Sequence, residues 1–182
     1  KAPSLSDRSC SPGPRWPWPC LAYSRTMPTP DFVLSLREKI GHELLWLPGI
    51  TGVVLNGERQ VLLVRRTDNG RWTLVTGMLE PGEEPAAGAL REIQEETGVT
   101  AEIEHMIHVG SHGPITFPNG DACTFLNVGF RCRYVSGEAR VNDDESTDVG
   151  WFALGDLPEL SERHLMLLDL ALKADGVPAF ER

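Results

Sequence analysis

The sequence lacks the features of a membrane-spanning or zinc-stabilised protein. No run of about 18 or more apolar residues, the length that a transmembrane helix needs, occurs in its 182 residues. The four cysteines, Cys10, Cys20, Cys123 and Cys132, form no CxxC pair and show no zinc-ligand spacing. The sequence therefore predicts neither a membrane partner nor a structural zinc site, and a reducing, cytoplasmic environment is the simplest interpretation.

Basic residues are also scarce. The chain has 17 Lys and Arg against 26 Asp and Glu, a formal net charge of −9. This balance argues against a nucleic-acid polymer as the main partner, because such proteins usually carry a basic surface. An acidic protein that handles phosphate groups needs a cation between itself and its substrate.

The first 26 residues differ from the rest in composition. They contain five prolines and five serines, and their four basic residues and one acidic residue give a net charge of +3. They show no periodicity and lack the continuous apolar centre of a secretory signal. We interpret residues 1–26 as a disordered tail or a non-native leader, and residues 27–182 as one domain. The alternative is a proline-rich binding segment with Trp16 and Trp18 as anchors.

The apolar pattern of the body predicts strands interspersed with two or three helices. Such a chain is typical of an α/β or α+β fold with a mixed sheet. An Asn56–Gly57 pair between apolar runs predicts a hairpin, and Pro48 and Gly49 predict a break between two strands. The predicted helices are 31–41, 85–97 and 162–174, and the predicted strands are 44–47, 50–55, 61–64, 71–75, 101–109, 122–134 and 149–152.

Three glutamates crowd one side of the predicted helix at 85–97, roughly opposite the stripe that should pack on the sheet, which consists of Ala86, Leu90, Ile93 and Thr97. Glu92, Glu95 and Glu96 are three, four and one residues apart, so they come within reach of a common point. Like charges at these spacings cost about 0.2–0.5 kcal/mol a pair, and anions are unfavourable near the carboxyl end of a helix. A divalent cation such as Mg²⁺ removes both penalties. The alternative is a solvated acidic face without a ligand.

Two further features flank these glutamates. Glu83 precedes Arg91 by eight residues, and a guanidinium–carboxylate bridge between them would hold the loop against the helix. Gly77 begins a predicted loop, Gly77–Gly82, where it permits a close backbone approach, and its carbonyl is a neutral oxygen that a metal can use as a ligand.

The stretch from Gly77 to Val99 resembles the Nudix box. That box is a glycine, five residues, a glutamate, seven residues and then Arg-Glu-aliphatic-x-Glu-Glu-x-Gly-aliphatic. Every defined position is filled; these positions are Gly77, Glu83, Arg91, Glu92, Ile93, Glu95, Glu96, Gly98 and Val99. A chance match is on the order of 10⁻⁸ per starting position. The resemblance runs from about Met27 to Ala174.

The resemblance implies a Nudix-type α/β/α sandwich with a central mixed sheet. It also implies a Mg²⁺-dependent hydrolase, with Mn²⁺ as a substitute, that cuts the phosphoanhydride bond of a nucleoside diphosphate linked to another group. The predicted metal ligands are Gly77, Glu92, Glu95 and Glu96. The predicted catalytic set is Glu83, Arg91, Glu92, Glu95, Glu96 and, from a loop outside the box, Glu145 as base or extra ligand. The alternative for Glu145 is a solvated acidic turn.

Several points stay open at this stage. The chain has Val75-Thr76-Gly77 where many relatives carry Pro-Gly-Gly, so the entrance to the loop differs. His108, His112 and Phe117 are candidates for contact with a base or ribose, or are structural. A catalytically silent nucleotide-binding or regulatory module is the alternative to an enzyme. The helix at 31–41 and Trp46 either form a homodimer contact or cover their own sheet. The nucleotide substrate, whether ADP-ribose-like, a dinucleotide or a nucleoside triphosphate, is not specified.

Overall fold

A computed structural model describes residues 30–117 and 119–180. The predicted tail at residues 1–26 lies outside these ranges. Within these ranges the helices are α1 (Asp31–Ile40), α2 (Pro85–Thr97) and α3 (Glu162–Lys173). The strands found there are β1 (Leu45–Leu55), β2 (Gln60–Arg66), β3 (Trp72–Thr73), β4 (Val75–Met78), β5 (Thr100–Thr116), β6 (Ala122–Ser136) and β7 (Ser146–Ala153).

The strands form one mixed sheet centred on β1. Along its whole length β1 pairs in parallel with β6, and β6 pairs antiparallel with β5. On its other edge β1 pairs antiparallel with β4 from Gly49 to Gly52, and with β2 at Leu55. β2 pairs antiparallel with β3 and β7. The predicted mixed sheet is therefore confirmed.

Both faces of the central strands are buried, which explains their continuous apolar sequence. Val54 and Leu62 belong to the core cluster that includes Ala89 and Ile93 of α2. Their neighbours in sequence, Val53 and Val61, point the other way into a cluster with residues of α3. The sheet thus lies between α2 and α3, and the predicted α/β/α sandwich is confirmed.

The predicted break at Pro48 and Gly49 is wrong, because β1 runs through both residues. Proline lacks only the backbone donor, and the carbonyl of Pro48 still accepts a hydrogen bond from Leu79 N at 3.2 Å. At Gly49 a side chain would crowd Phe125, since an ideal Cβ would lie 3.2 Å from Phe125 Cδ1. Glycine therefore lets neighbouring strands approach.

The hairpin predicted at Asn56–Gly57 is present but has a longer turn. Asn56 N donates to Gln60 O, and the Asn56 side-chain oxygen accepts hydrogen bonds from the N–H groups of Glu58 and Gln60, each at 3.0 Å. The asparagine thus closes the turn with its side chain. Pairing resumes at Val61, opposite Leu55.

A third apolar cluster holds α1 against one end of the sheet. It contains Val33 of α1, Leu45 and Leu47 of β1, and Phe117. Trp46 points away from this cluster and is 67% exposed. Among the described residues, no helix combines the length and apolar character needed to cross a bilayer.

Ile93 is the largest fully buried side chain of α2 and packs in the first core cluster, so it anchors the helix on the sheet. We expect Ile93→Ala to lower the free energy of unfolding by about 2–5 kcal/mol, through lost burial and the cavity left behind. Urea denaturation followed by fluorescence measures this change. Gln94→Ala, at the exposed neighbouring position, serves as control and should stay within about 0.5 kcal/mol of wild type. Equal stability of both variants would contradict the anchoring role.

Candidate active site

Helix α2 begins and ends as its sequence indicates. Pro85 occupies its first turn, and Gly98 ends it in a left-handed conformation with φ 70°. Gly88, Ala89, Ile93, Glu96 and Thr97 are its buried residues. Ala86, which the helical pattern assigns to the packed face, is exposed, so the buried face is rotated toward the glutamates.

This rotation buries two of the three predicted glutamates. Glu96 is only 5% exposed, and the side chain of Glu92 is 15% exposed. Glu95 lies at the rim with its side chain 55% exposed. The expectation that all three glutamates lie opposite the packed face is therefore wrong, because Glu96 is next to the apolar stripe and turns inward.

Gly77 lies in β4 directly beneath Glu92, and not in the loop predicted for it. A Cβ on Gly77 would overlap the carboxyl group of Glu92. Any larger residue at position 77 would thus push Glu92 out of its place. The role of the Gly77 carbonyl as a metal ligand stays a prediction.

The predicted contact between Glu83 and Arg91 is present. Arg91 Nε donates to Glu83 Oε1 at 2.8 Å, and Arg91 Nη2 donates to Glu83 Oε2 at 3.0 Å. Nη2 also donates to the carbonyl of Met78 at 3.1 Å. Arg91 Nη1 reaches Glu92 at 3.0 Å and Glu95 at 2.9 Å. One guanidinium therefore fastens the loop to the helix and orients two of the predicted ligands.

The loop that carries Glu145 is tied to the carboxyl end of α2. Asn142 Nδ2 donates to the carbonyls of Gln94 and Glu95 at 3.2 and 3.1 Å, and Asn142 N donates to Glu96 O at 3.3 Å. On the other side Thr67 N donates to Glu145 O at 2.9 Å. These bonds satisfy open helix carbonyls and hold Glu145 beside the glutamates of α2.

Burial and mutual repulsion raise the pKa values of this carboxylate cluster. Burial raises the pKa of Glu92 to about 7; the charge of Arg91 opposes the rise, and Glu145 and Glu95 add to it. Burial, Glu92, Glu145 and Asp143 raise the pKa of Glu96 well above its ordinary value. Burial and Asp143 likewise raise the pKa of Glu145, against the charge of Arg66. Negative charge is therefore concentrated here beyond what the neighbouring cations neutralise.

Glu83 behaves in the opposite way. Burial alone would raise its pKa, but the hydrogen bonds from Arg91 and from Glu80 N outweigh burial and hold the pKa below its ordinary value. Glu83 is thus a charged partner of Arg91 and stands apart from the repelling cluster.

Arg66, at the end of β2, is a charged neighbour that the sequence did not single out. It binds Asp68 through two hydrogen bonds of 2.9 and 2.8 Å, and its charge acts on Glu96 and Glu145. Arg65-Arg66 looks like the ordinary polar end of a strand, so no pattern in the sequence marks it.

The three candidate substrate residues have different surroundings. Phe117 packs in the third apolar cluster and His108 is buried. His112 is half-buried near Arg163, and burial followed by that charge lowers its pKa. Burial, then Arg163, His112 and Arg66, lower the pKa of His164 to about 4. The sequence did not single out Arg163 or His164, which lie in the first turn of α3, as neighbours of His112.

The chemistry of the carboxylates fits a hard divalent cation. Glu92, Glu96 and Glu145 act on one another electrostatically, and carboxylate oxygens are the ligands that Mg²⁺ prefers. In the ranges 30–117 and 119–180, no three acidic, His or Cys side chains are already arranged around one point as metal ligands. Arg91 donates to one carboxylate oxygen of Glu92 and to one of Glu95.

Comparison with known proteins agrees with this geometry. A family model described as the NUDIX domain matches residues 46–170. The chain belongs to the NUDIX family of hydrolases. A MutT-like protein of Streptomyces ambofaciens is 33% identical over 128 residues, covering 70% of this chain and 77% of that protein.

The chain matches some other relatives over less than half of their length and others over nearly their whole length. The NAD-capped RNA hydrolase NudC of Pseudomonas aeruginosa is 35% identical over 134 residues, which are 70% of this chain but only 45% of that protein. A solved MutT NUDIX hydrolase from Burkholderia pseudomallei has a TM-score of 0.57 and 28% identity, covering 69% of this chain and 97% of that chain. The predictions of a NUDIX fold and of a hydrolase are confirmed.

The raised pKa of Glu92 predicts how the NUDIX domain responds to pH without metal. Because the folded pKa is about 7 against an ordinary 4.5, the stability that this group contributes is full below pH 4.5. It is lost as the pH rises through 7. We expect the free energy of unfolding of Glu92→Gln, relative to that of wild type, to rise by about 1–3 kcal/mol between pH 5 and 8. Urea denaturation in EDTA measures both proteins.

The comparison between variant and wild type is needed because His164 titrates in the same range. Its folded pKa of about 4 is below its ordinary 6.5, so His164 adds stability as the pH rises. That contribution is common to both proteins and cancels in the difference. Glu84→Gln, on the exposed residue before α2, is the matched control. A difference that shrinks with rising pH would contradict the burial of a repelled carboxylate.

Proposed function

We propose that this chain is a Mg²⁺-dependent pyrophosphohydrolase that cuts the phosphoanhydride bond of a nucleoside diphosphate linked to another group. Mn²⁺ is the expected substitute. The observation that carries the proposal is the burial of Glu92 and Glu96 beside Glu145, where repulsion and burial oppose their ionisation. A hydrolase of diphosphates would need such an arrangement, because the divalent cation that joins protein and substrate reduces the repulsion among the carboxylates.

The residues divide into three roles in this proposal. Glu92 and Glu96 would hold the ion, with Glu95 as a third ligand or as the holder of a water, and with Gly77 contributing a carbonyl. A bound divalent ion supplies positive charge that neutralises the diphosphate and makes nearby water a stronger acid. Glu145, with its raised pKa, is the candidate to take the proton of the attacking water.

Arg91 and Glu83 position the site in this proposal without touching the substrate. The guanidinium binds Glu83, Glu92 and Met78 O at once, so it sets the direction of the Glu92 carboxylate. Arg66 balances part of the charge on Glu96 and Glu145. Preorganised charges of this kind need no rearrangement when the reaction occurs.

The relatives suggest which substrates to test first. The name of one relative assigns it NAD-capped RNA as substrate, and that protein is more than twice as long as the matched part. The predicted exclusion of nucleic acid therefore stays a prediction, as do the cytoplasmic location and the homodimer. The alternative function, a silent nucleotide-binding module, is less well supported because every glutamate of the box is retained.

A substrate screen with Mg²⁺ tests the proposal. ADP-ribose, NADH, dinucleoside polyphosphates, 8-oxo-dGTP and NAD-capped RNA are each incubated with the protein. Products are detected as phosphate after treatment with a phosphatase, except for 8-oxo-dGTP, where pyrophosphate is measured because a phosphatase would attack the uncleaved compound. Turnover of at least one compound that EDTA abolishes is expected. Binding without turnover across the panel would favour the silent module.

Glu96→Gln separates catalysis from folding. The substitution keeps the shape of the side chain and removes its charge, so we expect kcat to fall by about 10²-fold or more. Stability in EDTA should stay equal or rise, because a buried repelled charge is gone. Steady-state kinetics at saturating Mg²⁺ and thermal denaturation measure the two effects. Glu84→Gln is the control, and near-wild-type kcat in Glu96→Gln would refute the assignment.

Divalent cations should stabilise the wild-type protein. Because binding to the folded state alone adds stability by mass action, we expect the melting temperature to rise over 0.1–10 mM Mg²⁺, concentrations chosen to span about two decades. The rise should be smaller in Glu96→Gln. Thermal denaturation in a constant ionic strength, kept with NaCl, isolates specific binding from screening. An unchanged melting temperature in wild type would count against a site at these carboxylates.

A further inference from the structure

Arg163 is a half-buried cation that has no acidic partner among the described residues. Within the described parts of the chain, its Nη2 atom is buried and has no hydrogen-bond partner, and no carboxylate forms a salt bridge with it. Burial lowers its pKa, and no neighbouring charge offsets the effect. A buried donor without a partner is costly, and more so when it is charged.

The other half-buried arginines of the described chain do not share this feature. Each has a carboxylate within ion-pair distance: Arg37 contacts Asp121 at 3.2 Å, Arg66 contacts Asp68 at 2.8 Å, Arg91 contacts Glu83 at 2.8 Å, and Arg131 contacts Glu104 at 2.7 Å. The fold thus supplies a carboxylate wherever an arginine is withdrawn from water, except at Arg163.

Two histidines lie close to Arg163. His164 follows it in the first turn of α3, and the Nδ1 atom of His164 is also buried without a hydrogen-bond partner. The backbone N–H of His164 binds Ser161 Oγ at 3.3 Å, which fixes the start of the helix. His112 of β5 is close enough for the charge of Arg163 to act on it.

This group borders the carboxylate cluster. Arg66 pairs with Ser146, the residue after Glu145, and Thr67 N donates to Glu145 O at 2.9 Å. The charge of Arg66 also acts on His164. Arg66 therefore links the side of the carboxylates to the side of Arg163 and His164. Two unsatisfied groups at such a position indicate a missing hydrogen-bond acceptor.

We propose that Arg163 and His164 bind the phosphate group of the substrate diphosphate that faces away from the carboxylates. The inference rests on the proposed function and names the recognition element for its substrate class. A phosphate oxygen accepts charge-assisted hydrogen bonds from a guanidinium, and the positive end of α3 adds to the attraction. The carboxylates and Arg163 then hold the two halves of one diphosphate.

Arg163→Gln tests this with a probe that cannot be hydrolysed. Methylenediphosphonate carries the two phosphorus groups without a base, and its binding in the presence of Mg²⁺ is measured by isothermal titration calorimetry. We expect the Kd to rise about tenfold or more in Arg163→Gln. Arg163→Lys should lie between the two. Arg59→Gln is the matched control, because Arg59 is exposed in the turn that precedes β2.

A second readout distinguishes ligand recognition from support of the fold. Because the variant removes an unpaired buried cation, its melting temperature without ligand should equal or exceed that of wild type. With whichever substrate the screen identifies, KM should rise at least as much as kcat falls. A purely structural arginine would instead lower the melting temperature and leave the Kd of the folded protein unchanged.

The outcomes for the two proposals are separable. If wild type fails to bind methylenediphosphonate, or if Arg163→Gln binds it within about twofold of wild type, the role of Arg163 is overturned whether or not the enzyme turns over. If no compound of the screen is hydrolysed while Arg163→Gln still binds methylenediphosphonate more weakly than wild type, the hydrolase proposal fails and the anion site is retained.

Discussion

The packing of two ionisable carboxylates against a β-sheet is the constraint on which the rest of this site depends. Glu96 is almost fully buried, and Glu92 is held close above Gly77. Charges so placed lose most of their hydration, and the neighbouring glutamates repel them further. Two arginines of the chain offset part of this negative charge. Arg91 contacts Glu92 directly, whereas Arg66 acts on Glu96 from the end of β2.

Such a site requires a rigid support, because a helix free to rotate would carry its glutamates out to water. Ile93 provides the apolar anchor on the sheet side, and glycine at position 77 allows β4 to approach the Glu92 carboxyl group. Asn142 binds the open carbonyls at the end of α2 and brings the loop of Glu145 with it. The same contacts that satisfy the end of the helix therefore complete the carboxylate cluster.

The sequence predicted what depends on local rules. The bounds of α2, its proline start and glycine end, and the Glu83–Arg91 pair follow from spacing and capping within one segment. It did not predict the rotation that buries Glu96, because the choice between two adjacent helix faces depends on the shape of the sheet. Nor did it predict Arg163 beside His112, since they come from elements that meet only in the folded chain.

The charge distribution is compatible with the anionic substrate of the proposed function. Negative charge is concentrated at the end of α2, and in that proposal a divalent ion neutralises it before the diphosphate binds. Across Arg66 lie Arg163 and His164, which have spare donors and no acidic partner among the described residues. In the proposed binding mode, one phosphate group of the diphosphate binds at each side, so the separation of opposite charges would orient the substrate before any bond is cut. On this view the identity of the nucleoside is left to other parts of the cleft, and the anhydride bond is the common feature that the two charged sides recognise.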